Sequence, residues 1–207
     1  MEKNQEFTVS IEDMSEDGAG IGKLDGYIWF IKDAVIGDVV RARAMKMKKN
    51  YGFARLMEIL TPSAARVEPR CPVARQCGGC QLQNLPYAEQ LLHKQRRAVS
   101  VLGELGHVEN IIGMDEPAHY RNKVHAALAY DRAKNKTISG IYQPGSHRIV
   151  PVDECMIEDK LADEIIVDIR RMLPEFKIQV FDERGGSGWL RHILIRRGFA
   201  TGEVMVV

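Results

Sequence analysis

Residues 71–83 read CPVARQCGGCQLQ and hold three of the chain's four cysteines, Cys71, Cys77 and Cys80; the fourth, Cys155, follows in VDECMI. Four thiols are enough for one tetrahedral metal or iron–sulfur site. Gly78 and Gly79 let the backbone turn sharply between Cys77 and Cys80 and leave room for a bulky group. If Cys155 returns to this loop, it ties the region after residue 110 to the region before it. The spacing is C-x5-C-x2-C, then seventy-four residues, then the last cysteine. Structural zinc usually shows two CxxC-like pairs, whereas a three-plus-one division suits a cubane cluster. Spacing therefore favours a [4Fe–4S] cluster and leaves zinc and unliganded thiols as alternatives. Disulfides are disfavoured, because no secretion signal is visible and three of the thiols crowd one glycine-rich loop.

Outward from this loop, the chain reads as three segments. Its 207 residues are 45% apolar and carry 29 basic against 28 acidic side chains, so overall charge points to no partner and only its distribution is informative. No apolar run is long enough to span a membrane, and an intracellular, cytoplasmic protein is expected. Residues 1–62 alternate short strand-like runs with turns: Phe7–Ile11, Tyr27–Ile31 after the Asp25-Gly26 turn, Val39–Met45, and Phe53–Ile59 after Asn50-Tyr51-Gly52. Glu12 to Gly22 reads as a loop. Five short strands in sixty residues suggest a closed OB-like barrel. Arg41, Arg43, Lys46, Lys48, Lys49 and Arg55 fall in one stretch without an acid among them, and Tyr51 and Phe53 share it. That composition suits phosphate tracking and base stacking; a solvated hairpin is the plain alternative.

Residues 63–110 hold the cysteine loop and a helix from about Tyr87 to Glu104, with Asn84 as a candidate cap, Gly106 as the stop, and Leu91, Leu92, Val99, Leu102 and Leu105 as its apolar stripe. Lys94, Arg96 and Arg97 lie mostly opposite, as a wet face or an RNA-backbone contact. Residues 111–207 read as an α+β region of antiparallel strands with one covering helix. Strands are expected from His119 to Tyr130, over Ile138–Tyr142, over Ile178–Phe181, and as a last hairpin around Thr201-Gly202. The helix is capped by Asp159, faced by Leu161, Ile165, Ile166, Ile169 and Leu173, and ended by Pro174. There is no P-loop, no dinucleotide fingerprint and no recognisable catalytic pairing among the scattered histidines.

The order of motifs carries a resemblance. CPVARQCGGCQLQ is followed by HYRNK at 119–123, GIYQPGSHRIVPVDEC at 140–155 and LRHILIRRGFATGEVMVV at 190–207. This closely resembles the N-terminal half of the iron–sulfur-containing RNA (uracil-5-)-methyltransferases that make 5-methyluridine in 23S ribosomal RNA. The resemblance covers nearly the whole chain. It implies a TRAM domain, an OB-like RNA-binding barrel, up to residue 62, and a central RNA-contacting domain from about 111. It implies that Cys71, Cys77, Cys80 and Cys155 ligate a [4Fe–4S] cluster that holds the fold rather than moving electrons. It also suggests Arg121 and Lys123 as RNA contacts, beside Arg41, Arg43, Lys46, Lys48, Lys49, Tyr51, Arg96 and Arg97.

In that family, a Rossmann-like domain binds S-adenosylmethionine and supplies the cysteine that attacks the uracil. No such domain is expected in these residues, so S-adenosylmethionine belongs to the longer parent and this chain is expected to be inactive alone. A monomer that binds ribosomal RNA, with no DNA or membrane partner, is the implied behaviour. The competing reading is a stand-alone RNA-binding protein with a structural iron–sulfur or zinc site. A radical S-adenosylmethionine enzyme is disfavoured, because those enzymes use C-x3-C-x2-C and leave one iron open.

Overall fold

The computed structural model describes residues 2–183 and 185–207. The chain folds as two compact units, Met1–Pro72 with Cys80–Gly113 and Val73–Gly79 with Met114–Val207.

The first unit is built on a closed five-stranded barrel. Strands β1 (Glu6–Met14), β2 (Gly20–Leu24), β3 (Tyr27–Lys32), β4 (Val39–Met47) and β5 (Tyr51–Thr61) join in the order β1-β2-β3-β5-β4, with β3 and β5 the parallel pair. Alternation puts Phe7, Val9 and Ile11 of β1 inside and their neighbours outside. Trp29 fills the centre, packed on Phe7 and Tyr27 with ring centroids 4.6 and 5.0 Å away. Small residues make room for it. A Cβ on Gly52 would lie 2.6 Å from the Trp29 ring, and Ala42, Ala44 and Ala54 line the same core. Asp25 and Gly26 both have positive φ, 52° and 78°, as a two-residue hairpin turn between β2 and β3 requires.

Several boundaries differ from the sequence reading. β1 runs on to Met14, which is buried, and β2 starts at Gly20, so the expected loop shrinks to a tight turn. Tyr51 and Gly52 belong to β5 rather than to a turn. Helix α1 (Tyr87–Leu102) starts after Pro86 with no side-chain cap and ends at Gly103. The Asn84 side chain instead accepts a hydrogen bond from Arg66. None of the α1 side chains is fully buried, so its apolar stripe is not a core face within the described residues.

One buried ion pair ties the barrel end to the linker that leaves it. Asp38 is fully buried and accepts from Arg66 Nη2 at 2.7 Å, from the Val35 amide at 2.8 Å and from the Ser63 amide at 2.9 Å. Arg66 also donates to the Asp33 carbonyl at 2.6 Å. Next to this pair, Met14, Val35 and Leu85 form a second small core. Burial by itself raises the Asp38 pKa, but the Arg66 guanidinium and the two amides outweigh it and hold the carboxyl below the ordinary aspartate value.

The second unit is an antiparallel sheet with one covering helix. Strands β6 (Lys123–Asp131), β7 (Lys136–Tyr142), β8 (Ile149–Pro151), β9 (His192–Arg197) and β10 (Val204–Val206) lie in the order β10-β9-β6-β7-β8. Helix α2 (Lys160–Met172) buries Ala162 and Ile166 against Val124, Ala126, Leu128, Ile193 and Ile195. Asp159 caps α2 through the Ala162 amide and also pairs with Arg197 of β9 at 2.7 Å. Two strand expectations fail here. The strand expected from His119 starts only at Lys123, because His119 takes a φ of 52° and residues 119–121 bond backbone-to-backbone with 156–159. Ile178–Phe181 is not a strand; Val180 makes one isolated bridge to Leu190. No Rossmann-like parallel sheet occurs among the described residues, and no described helix is long and apolar enough to cross a membrane.

Asp38→Asn is expected to cost about 3–5 kcal/mol of unfolding free energy at pH 7, the penalty for leaving a buried guanidinium without its counter-charge. The carboxylate's contribution is complete above the ordinary aspartate pKa and is lost as pH falls through the lowered folded value. Urea denaturation from pH 7 downward reads both effects: the gap between the two proteins should narrow as pH falls below the ordinary aspartate value, and equal midpoints at pH 7 would show that the pair adds nothing.

Candidate nucleic-acid interface

The outward residues of β5 are Tyr51, Phe53, Arg55 and Met57, because Gly52, Ala54 and Leu56 face the core. Across the parallel pair, Phe30 of β3 stands level with Phe53 and Lys32 with Arg55. Phe30, Tyr51 and Phe53 form a ring cluster on the barrel exterior, with centroids 5.6–5.7 Å apart. Tyr51 is 39% and Phe53 43% exposed, although both are aromatic. Met45, Met47 and Met57 widen the exposed apolar area. Clustered rings kept at the surface of a small barrel suit stacking with unpaired bases.

The basic residues predicted for this region fall into two groups. Lys46, Lys48, Lys49 and Arg55 are exposed and make no ion pair among the described residues. Lys46 lies opposite Phe53, so one cation sits beside the rings. Arg41 and Arg43 are engaged instead: Arg41 pairs with Glu58 at 2.7 Å, and Arg43 with Glu6 at 2.6 Å. Their acids come from β5 and β1, outside the stretch in which the sequence shows none. The Arg43 hydrogen bond leads in holding Glu6 below the usual carboxylate range. Exposed pairs of this kind are weak, so another anion can displace the carboxylate. Phe30 was missed as a site residue in the sequence; its signal was its position three residues after Tyr27 in a strand whose Trp29 and Ile31 point inward.

On α1, Arg96 is exposed and Arg97 reaches Glu16 at 3.2 Å. In the second unit, Lys123 is exposed at the start of β6. Arg121 is half-buried; its amide donates to the Ile157 carbonyl and its carbonyl accepts from Asp159.

The cysteines divide between the units, Cys71 and Cys80 with the barrel and Cys77 and Cys155 with the sheet. All four are thiols. Cys71 donates its amide to Gln83. Cys77 is buried, and the Gly79 amide donates to its Sγ at 3.3 Å. Gly78 packs close to β7, where a Cβ would lie 3.1 Å from the Tyr142 carbonyl. The Cys155 amide donates to Asp163 at 2.7 Å. Burial, with Glu158 and Asp163 nearby, pushes the Cys155 thiol up to about 11. Burial leads in raising both Glu158 and Asp163; the Asp163 charge adds to the rise at Glu158, whereas the Glu158 hydrogen bond partly offsets the rise at Asp163. Among the described residues, no three His, Cys, Asp or Glu side chains are arranged to hold a metal ion. A four-thiolate site thus rests on donor chemistry and spacing.

Comparison with known proteins now bears on these surfaces. Residues 1–57 match the TRAM domain family. The chain carries a TRAM domain. Over its whole length it is 41% identical to an uncharacterized RNA methyltransferase of Clostridium acetobutylicum, covering 46% of that protein. It is 43% identical to one of Halalkalibacterium halodurans, with 99% of the chain and 45% of the relative aligned. The crystal structure of Pyrococcus abyssi tRNA (uracil-54, C5)-methyltransferase in complex with S-adenosyl-L-homocysteine superposes with a TM-score of 0.71 at 27% identity, over 96% of this chain and 44% of that one. The TRAM-bearing chain is therefore homologous to the N-terminal part of RNA methyltransferases, and it spans about half the length of the curated relatives it matches.

Replacing Phe53 with Ala removes the ring shared by both strands of the cluster. Loss of one stacked base costs about 1–3 kcal/mol, so affinity for a single-stranded oligoribonucleotide is expected to fall roughly 5- to 150-fold by fluorescence anisotropy, with the melting temperature little changed because the site is exposed.

Proposed function

We propose that this chain is the RNA-recognition and cluster-binding part of an S-adenosylmethionine-dependent RNA (uracil-5-)-methyltransferase. The Phe30–Tyr51–Phe53 cluster, with Tyr51 and Phe53 exposed beside lysines that make no ion pair among the described residues, carries this reading, supported by similarity of the chain to about half the length of RNA methyltransferases. On the barrel, Lys46, Lys48, Lys49 and Arg55 meet the phosphates while the rings stack unpaired bases; Arg41 and Arg43 exchange Glu58 and Glu6 for phosphate as RNA arrives. Arg96, Arg97, Arg121 and Lys123 extend the backbone contact. The RNA substrate is 23S ribosomal RNA and the product 5-methyluridine. The protein acts in the cytoplasm as a monomer.

Cys71, Cys77, Cys80 and Cys155 hold a [4Fe–4S] cluster. The all-thiol donor set fits it, as do the Gly79 amide directed at Cys77 Sγ and the side-chain-free Gly78-Gly79 turn. The cluster supplies a rigid cross-link when bound. Cys77 is kept in place by its own amide on the Val73 carbonyl, and Cys155 by its amide on Asp163. Methyl transfer requires an S-adenosylmethionine site elsewhere in the parent, so this chain binds and orients RNA without turning it over.

Iron, acid-labile sulfide and zinc measured on protein purified without oxygen test the metal assignment: about four irons and four sulfides per chain are expected, with loss of both in Cys155→Ser. One zinc per chain with no sulfide, after growth in ample iron, would overturn it. A competition assay between 23S and transfer RNA fragments tests the substrate, and preference for transfer RNA would move the target. Incorporation of labelled methyl from S-adenosylmethionine by the chain alone would refute its role as a recognition part only.

A further inference from the structure

The sheet unit contains a groove that the barrel reading does not use. It has a volume of about 1080 Å3 and an apolar floor from Leu128, Ile149, Leu173 and Val180. This volume is at the upper end of the range of small-molecule sites, about 300–1,000 Å3, and leaves room for more than one nucleotide unit. Its rim carries both signs of charge. Asp182 pairs with Arg132 at 2.8 Å, and Glu183 lies 3.1 Å from His147 Nδ1. Arg148, Lys177 and Arg191 are exposed at the rim and make no ion pair among the described residues. The Arg191 guanidinium lies over the Phe181 ring, 3.6 Å from its centroid. An arginine seated on a ring is pre-oriented and keeps its edge donors for an oxyanion.

Two neutral ring systems stand beside these cations. The Tyr142 hydroxyl lies 3.4 Å from His192 Nε2, and the His192 ring packs on His125 with centroids 4.6 Å apart. Burial leads in lowering the His192 pKa and in raising that of Tyr142, so imidazole and phenol both stay uncharged near neutral pH. Neutral rings with polar edges suit a base, and unpaired cations suit a phosphodiester.

We infer that this groove holds an unstacked single-stranded segment of RNA, with Arg148, Lys177 and Arg191 on its phosphates and a base lodged against Tyr142 and His192. The inference rests on the RNA-binding reading of the chain and adds a second contact surface to it. Charge complementarity selects the occupant: the apolar floor would accept a polypeptide, but three unpaired cations around neutral rings match a polyanion whose bases are free.

The experiment uses a short single-stranded oligoribonucleotide containing 4-thiouridine, with anisotropy and photo-crosslinking as readouts. The double variant Arg148→Glu/Lys177→Glu is expected to weaken binding about tenfold or more and to flatten its salt dependence. The charge-preserving Arg148→Lys/Lys177→Arg variant should bind like the original chain, and crosslinks should map to peptides holding Tyr142 or His192. If the double variant binds RNA as before and no crosslink falls in the groove, the inference is overturned while Phe53→Ala still reports on the barrel; a groove filled by polypeptide gives this result. If the unmodified chain binds no RNA, the groove inference and the RNA reading fall together. Both substitutions lie at exposed positions, and melting curves confirm that the variants are folded.

Discussion

The barrel unit depends on the buried pair of Asp38 and Arg66. Asp38 sits on the bend between β3 and β4 and satisfies two backbone amides there and in the linker. Arg66 arrives from that linker and reaches a third segment through Asn84. A carboxylate with no exposure is costly to bury. It is tolerated because a guanidinium and two amides converge on it. The same geometry fixes where the chain leaves the barrel, and hence the path that leads to Cys71. The pair therefore acts more as a register device than as a source of net stability, since well-packed apolar groups could replace it at little cost.

The aromatic surface follows from how the barrel is filled. Trp29 occupies the centre, so the inward position of β5 against its ring must be Gly52, with Ala54 next and the larger Leu56 further along the strand. Period-two alternation then sends Tyr51 and Phe53 outward. The level pairing of β3 with β5 brings Phe30 to them. These rings do not pack the core; exposed aromatics beside lysines that make no ion pair among the described residues indicate a contact surface. The sheet unit shows the opposite economy. Its helix covers one sheet face, and the Asp159 cap doubles as the partner of Arg197, so one carboxylate positions both the helix start and β9.

The sequence alone settled the class of the two units. Alternating runs punctuated by Asp25-Gly26 make a small barrel, and the stripe after Asp159 makes a helix on a sheet, because both patterns are local and the side-chain period is set by the backbone. The basic stretch from Arg41 to Arg55 was legible for the same reason. Tertiary structure decided the rest. Only closure of the barrel shows that Arg41 and Arg43 face Glu58 and Glu6, since those acids lie on other strands. Only the parallel register makes Phe30 part of the aromatic cluster. Residues 119–121 looked like strand but bond to 156–159, because a positive φ at His119 turns the chain before β6 starts. The Asp38–Arg66 pair was equally invisible, because nothing in a one-dimensional spacing shows which carboxylate will lose its water and which cation will replace it.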